Sequence, residues 1–124
     1  MIMSLIRQGN IWLYEVRVRH VLTRYLYLCR NSCFFGTSLE ETLRERGVDH
    51  VILAGVGTDV CVETTARDAY QFNFAVTTTS DATGACNESD HRAALHALRN
   101  FGGTASTSEV MEALEKLRNS NHIC

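Results

Sequence analysis

The chain has 124 residues, 45% of them apolar and 21% charged, with a formal net charge of −2. This composition fits one soluble globular unit with a modest core, and the weak acidic balance argues against a general nucleic-acid binder. The early apolar residues are interrupted by Arg7, Gln8, Gly9 and Asn10, so neither a signal-peptide core nor a membrane span is expected.

The charge is unevenly spread. Residues 1–30 hold Arg7, Arg17, Arg19, Arg24 and Arg30 against Glu15 alone, and the acidic excess lies in the rest of the chain. This divides the sequence into a basic segment, 1–30, and an α/β region, 31–124. The run from Ile11 to Leu28 is rich in Val, Leu, Tyr and Ile with partial two-residue alternation, which predicts one or two strands.

From Ser38 onward the pattern is regular. Ser38 followed by Glu41 forms a capping-box signature, and Gly47 is a suitable left-handed stop for the helix between them. His50 to Ala54 is a nearly continuous apolar run, as expected for a parallel strand covered on both faces. A helix over about 60–72 follows, with Thr58 or Asp59 as its cap. The β-branched run Phe74 to Ser80 predicts a strand ending at Asp81, and Ala82 to Asn87 predicts a loop. A helix over about 89–100 turns Ala94, Leu95, Leu98 and Phe101 inward. A short strand at 103–106 precedes a last helix to about Arg118, with Val110, Met111, Leu114 and Leu117 on its buried side. Alternating helices and strands imply right-handed crossovers and an α/β fold: a three-layer α/β/α sandwich with a mainly parallel sheet.

In such sheets sites gather at the carboxyl ends of strands, where Cys61 and Asp81 both emerge. Cys61 follows the glycine-rich turn Gly55-Val56-Gly57 at the start of a helix, where free backbone amides and the helix dipole favour a thiolate. The same amides could receive the oxyanion formed when that sulfur attacks a carbonyl. A buried cysteine filling the core is the competing reading. Five cysteines (Cys29, Cys33, Cys61, Cys86 and Cys124) form no regular spacing, which indicates neither a disulfide framework nor a zinc site. Reduced thiols in a cytoplasmic setting are the expectation, with no metal and no cofactor.

The run GVGTDVCVETTARDA, from Gly55 to Ala69, resembles the active-cysteine motif of the isochorismatase-like cysteine hydrolases, which include nicotinamidases and ureidoacrylate amidohydrolases. The flanking SCFFGTSLEETLRERGVDHVILAG and SDATGACNESDHRAALHALRNFGGTASTSEVMEAL extend the resemblance over residues 30–117. It implies a small amide substrate and a Cys61 acyl-enzyme. It further implies an oxyanion hole from the backbone of Gly57 and Cys61, and a cis peptide at Val56–Gly57. Phe34 and Phe35 match a substrate-lining loop, with packing of the two rings in the core as the equal alternative. Asp81 matches an aspartate that holds a loop.

Two departures accompany the match. The family's catalytic aspartate stands in an amino-terminal V-I-D-x-Q strand, and no aspartate precedes Asp49. Its catalytic lysine stands where this chain has Leu28. The family's first strands are thus expected to be absent or replaced, which implies a fold truncated in its amino-terminal half, impaired catalysis and an exposed sheet edge suited to homo-oligomer formation. A non-catalytic fragment or subunit associating through that edge is the alternative. Dinucleotide binding at Gly55-Val56-Gly57 is disfavoured by Val60, whose branched side chain occupies the third glycine position of that fingerprint. Arg67 and Asp68 are expected as a surface pair on their helix, and His91 and His96 do not share a helical face suited to joint metal binding.

Overall fold

The computed structural model describes the backbone of three strands within residues 2–27 and residues 30–120 in full. The strands are β1 (Ile2–Gln8), β2 (Ile11–Arg17), β3 (Arg24–Tyr27), β4 (His50–Val56), β5 (Ala75–Gly84) and β6 (Thr104–Ala105). The helices are α1 (Leu39–Glu45), α2 (Glu63–Gln71), α3 (Glu88–Leu98) and α4 (Thr107–Ser120). A π turn, Thr58–Val62, leads into α2, and a 3-10 turn, Arg99–Phe101, follows α3. The sheet order is β3-β2-β1-β4-β5-β6.

Strands β4, β5 and β6 are parallel, as alternation with helices requires, and β1 joins β4 in parallel with Ile2 opposite Ile52 and Leu5 opposite Gly55. The edge of β4 from which self-association was expected is therefore occupied by this chain's own β1. Strands β2 and β3 continue the sheet antiparallel. The segment expected to hold one or two strands, together with the residues before it, holds three.

Helices α1, α2 and α3 bury one cluster against the sheet: Leu39 and Leu43 from α1, Ala66 and Ala69 from α2, Leu98 from α3, and Val51, Leu53 and Val76 from the strands. Ile52 points to the opposite face by strand alternation, and both it and Val110 of α4 lie outside that cluster. This gives the expected three-layer α/β/α sandwich around a mainly parallel sheet. On α4, only part of the expected face is buried: Val110 is, whereas Met111 and Leu117 are exposed.

Local stops follow the chemistry of their residues. Gly47 takes a left-handed conformation after α1, and the Val48 amide returns to the Leu43 carbonyl at 3.0 Å while Val48 packs on the core. The capping box at the other end of α1 does not form. Ser38 makes no side-chain cap; instead the Thr37 hydroxyl donates to the Cys33 carbonyl and accepts from the Leu39 amide. Gly102 is required by close approach, because a Cβ there would lie 2.2 Å from the Val76 carbonyl oxygen.

Strand β5 runs further than its β-branched stretch predicts. Its pairing with β4 shifts between Leu53, opposite Thr78, and Gly55, opposite Thr83, so β5 carries extra residues that arch out of the ladder. The Thr79 hydroxyl donates to the Leu53 carbonyl at 2.9 Å and the Thr83 hydroxyl to the Thr79 carbonyl at 2.7 Å, holding the arch. Residues 82–84, expected in a loop, thereby become strand, and Asp81 sits on the arch.

Candidate active site

The site is built where β4 ends. Gly57 adopts a left-handed conformation, φ +83° and ψ +51°, and turns the chain from strand into the π turn. Its carbonyl accepts from the amides of both Val60 and Val62, each at 3.0 Å, and Cys61 lies between them. One-turn π segments of this kind are common at functional positions. A Cβ on Gly57 would stand 3.8 Å from the Cys61 sulfur, so the bare α-carbon of this glycine faces the thiol. Cys61 itself is 5% exposed and belongs to the core cluster, beneath a surface on which Val56 and Val60 are exposed.

The Gly57 amide does not face the thiol as an oxyanion donor. It donates to the Gly84 carbonyl at 2.7 Å and so extends the β4–β5 ladder one step beyond Val56. The Val56–Gly57 bond is not cis either; among the described residues no peptide is. Gly57 instead takes its left-handed conformation with its amide bonded into the sheet.

Thr58 and Asp59 do not cap the helix. No side-chain cap bond forms at the π turn, and the Thr58 hydroxyl is instead joined to His91 Nδ1 of α3 at 2.9 Å. Asp59, Glu63 and Asp90, with Ala93, Ala94 and Ala97, bound an open groove between the turn and α3. Cys61 is not among its walls. Glu63 is engaged by Arg67 one turn on, and the Arg67 guanidinium lies 4.2 Å from the Phe101 ring centre. Asp68, expected beside Arg67, accepts instead from the buried Ser32 hydroxyl at 2.5 Å.

That bond and the Cys33 amide on Thr65 Oγ1, 3.2 Å, clamp the 30–38 segment on α2. They also decide the fate of the two phenylalanines expected to line a substrate pocket. Phe34 is 7% exposed and its ring packs 5.4 Å from Phe72 and 6.0 Å from Phe74, which commits it to the core. Phe35 is 62% exposed to solvent. Leu28, at the position of the family's lysine, and Cys29 lie outside the described residues.

Asp81, expected to hold a loop, holds the start of α4 instead. Its carboxylate accepts from the Thr107 hydroxyl and amide, both at 2.7 Å, and these bonds keep its carboxyl below the usual range. Ser106 and Glu109 complete the start of α4 as a reciprocal capping box: the Ser106 amide donates to the Glu109 carboxylate at 2.7 Å, and the Glu109 amide to the Ser106 hydroxyl at 3.2 Å. Neither His91 nor Gly84 stood out in the sequence as part of the site. Both act across the fold, and no local periodicity signals a partner some thirty residues away.

No group of three or more His, Cys, Asp or Glu among the described residues is placed to hold a metal ion, and no described helix is long and apolar enough to cross a membrane.

The sequence and the fold are similar to those of known proteins. The isochorismatase domain family matches residues 19–110. The chain is 35% identical over 85 residues to the isochorismatase family protein YwoC of Bacillus subtilis, covering 68% of this chain and 45% of that one. It is 38% identical over 84 residues to the ureidoacrylate amidohydrolase RutB of Caulobacter segnis, covering 67% and 35%. Among solved structures, an isochorismatase-like hydrolase from Alkaliphilus metalliredigens superposes with a TM-score of 0.67 at 38% identity, over 68% of this chain and 47% of that one. The nicotinamidase PncA from Bacillus subtilis does so at 0.60 and 40%, over 62% and 43%. The chain thus spans less than half the length of each of these relatives. With a matched domain over most of its length and the Gly57–Cys61 turn at the end of a parallel strand, the chain belongs to the isochorismatase family.

Proposed function

We propose that this chain carries the nucleophile half of a cysteine hydrolase acting on small amides, with Cys61 as the attacking group. The observation that carries the reading is the seat of Cys61: a π turn at the carboxyl end of a parallel strand, with the Gly57 α-carbon against its sulfur and the amino end of α2 one step ahead. Positive potential at that end favours the thiolate over the thiol. The thiolate adds to the amide carbonyl carbon, the carbon–nitrogen bond breaks, and the nitrogen leaves with a proton. Water then attacks the thioester and releases the acid and the Cys61 thiol.

The substrate class is supported by the relatives, which carry the names ureidoacrylate amidohydrolase and nicotinamidase. Val56 and Val60, next to Gly57 and Cys61 in the chain, are exposed and apolar, which suits a small, mostly uncharged amide. The Gly57 amide is bonded to Gly84, so an oxyanion is served by other donors of the turn, the Cys61 amide being the proposed one.

The reading includes a slow rate. No aspartate precedes Asp49 to serve as the family's base, and Leu28 stands in place of its lysine. Groups that act as a unit lose several orders of magnitude in rate when members are removed. Reactive esters and activated amides are therefore the substrates on which Cys61 works measurably. A panel of such substrates, with Cys61→Ser as the control, tests this: turnover in the wild-type chain that the variant lacks supports it, and equal turnover in both overturns it.

A further inference from the structure

Thr58 opens the π turn and is fully buried, at 0% exposure. A buried hydroxyl needs a partner. Later in the helix Thr64 returns its hydroxyl to the Val60 carbonyl four residues back. Thr58 has no helical carbonyl behind it, because the chain before Gly57 is strand β4. Its partner comes from another element: His91 Nδ1 on α3, at 2.9 Å. The backbone that carries the imidazole is itself fixed. Asn87 caps α3 by accepting from the Asp90 amide at 2.9 Å, and the His91 amide donates to the Asn87 carbonyl at 3.2 Å. Nδ1 is the ring nitrogen nearer the backbone, so the reach from α3 to the turn is short and carries little freedom.

We propose that His91 is a positioning residue for the nucleophile: through Thr58 it holds the π turn in the register that sets Cys61 against Gly57. The role rests on reading Cys61 as the attacking group. The carbonyl of Gly57 closes the turn by accepting from Val60 and Val62, and Thr58 is the first residue after that carbonyl. A buried Thr58 hydroxyl without its partner is costly, so a shift of the turn that carried Thr58 away from His91 would break the bond that satisfies it. The Thr58–His91 bond blocks that motion from outside the helix. Gly84, bonded to the Gly57 amide at 2.7 Å, anchors the residue just before Thr58. The turn is therefore held at two points, one on β5 and one on α3, and the second is the one a side chain can tune.

Four variants of the full chain test this: His91→Ala and Thr58→Val, which remove the bond, and His91→Asn and Thr58→Ser, which keep a group able to make it. The readout is the rate of Cys61 alkylation by iodoacetamide, resolved by peptide mass spectrometry across a pH series. Removing the bond is expected to slow Cys61 at neutral pH by about threefold to tenfold, with its pH midpoint raised by about half to one unit. The asparagine and serine variants are expected to stay near the wild-type profile. Thermal unfolding of each variant identifies any that fail to fold. The proposal is overturned if the alanine and valine variants keep the wild-type profile, or if alanine and asparagine shift it equally.

A wild-type Cys61 that titrates as an ordinary thiol would sink the nucleophile reading on its own. Hydrogen exchange at the Val60 and Val62 amides still decides the positioning in that case. Faster exchange in His91→Ala and Thr58→Val, restored in His91→Asn and Thr58→Ser, supports it; unchanged exchange overturns it.

Discussion

The amide of Gly57 donates to the carbonyl of Gly84 at 2.7 Å, and this bond ties the arch of β5 to the turn that carries Cys61. Two consequences follow from it. The ladder between β4 and β5 runs up to the turn that carries Cys61, and the Gly57 amide is engaged within the sheet.

Gly57 is held by its backbone angles rather than by crowding. A Cβ there would meet Cys61 only at ordinary contact distances of 3.6 Å and more, but φ is +83°. Gly57→Ala is expected to lower stability by about 1–2 kcal/mol, the cost of a left-handed residue with a side chain. Gly102→Ala is expected to cost more, because its Cβ would also overlap the Val76 carbonyl at 2.2 Å. Urea unfolding of the two variants checks the order; a smaller loss at Gly102 would contradict it.

The two adjacent threonines of β5 predict opposite outcomes. The Thr78 hydroxyl is buried with no hydrogen-bond partner, whereas the Thr79 hydroxyl donates to the Leu53 carbonyl. Thr78→Val removes an unsatisfied polar atom and is expected to leave stability unchanged or raise it by up to about 1 kcal/mol. Thr79→Val leaves a buried carbonyl without its donor and is expected to cost about 1 kcal/mol or more. Thermal melts of the pair suffice to compare them.

Much of the fold is legible where a residue's own chemistry decides the outcome. The apolar run at His50–Ala54 reads directly as a buried parallel strand, and Gly47 as a helix stop that needs a left-handed angle. The junction holding Cys61 is equally plain, since strand, glycine turn and helix follow each other without a gap. The rest depends on partners distant in sequence. Residues 82–84 look like a loop because nothing local shows that Thr79 will bond Leu53 and that the ladder will resume at Thr83. Asp59 has the residue type of a cap, but the turn opens on Thr58, whose hydroxyl goes to His91. Phe34 and Phe35 are adjacent and chemically identical, and nothing local tells that Phe34 packs in the core while Phe35 is exposed, in a segment tied to α2 by Ser32 and Cys33.

Stability at acid pH follows from the start of α4. Thr107 lowers the Asp81 carboxyl, chiefly through its hydroxyl and also through its amide, and the Ser106 amide and hydroxyl lower Glu109. A carboxyl whose pKa is lower in the folded state contributes stability above its unfolded pKa and loses it as pH falls through the folded value. The chain is therefore expected to lose stability progressively as pH drops below about 4, the ordinary carboxylate range. Asp81→Asn and Glu109→Gln remove a titrating group each, so their melting temperatures should fall less steeply over that window. A slope equal to wild type in both would exclude these contacts as its source.

The central claim is that Cys61 forms a covalent acyl intermediate. The most direct measurement is peptide mass spectrometry of the chain after brief exposure to an activated ester, p-nitrophenyl acetate, in wild type and Cys61→Ser. The exposed Cys86 serves as an internal comparison for an ordinary thiol. The account predicts an acetyl group that appears on Cys61 faster than on Cys86 and decays by hydrolysis, with the corresponding p-nitrophenol release lost in the variant. Acetylation of Cys86 at an equal or greater rate, with Cys61 unmodified and release unchanged in Cys61→Ser, would contradict it.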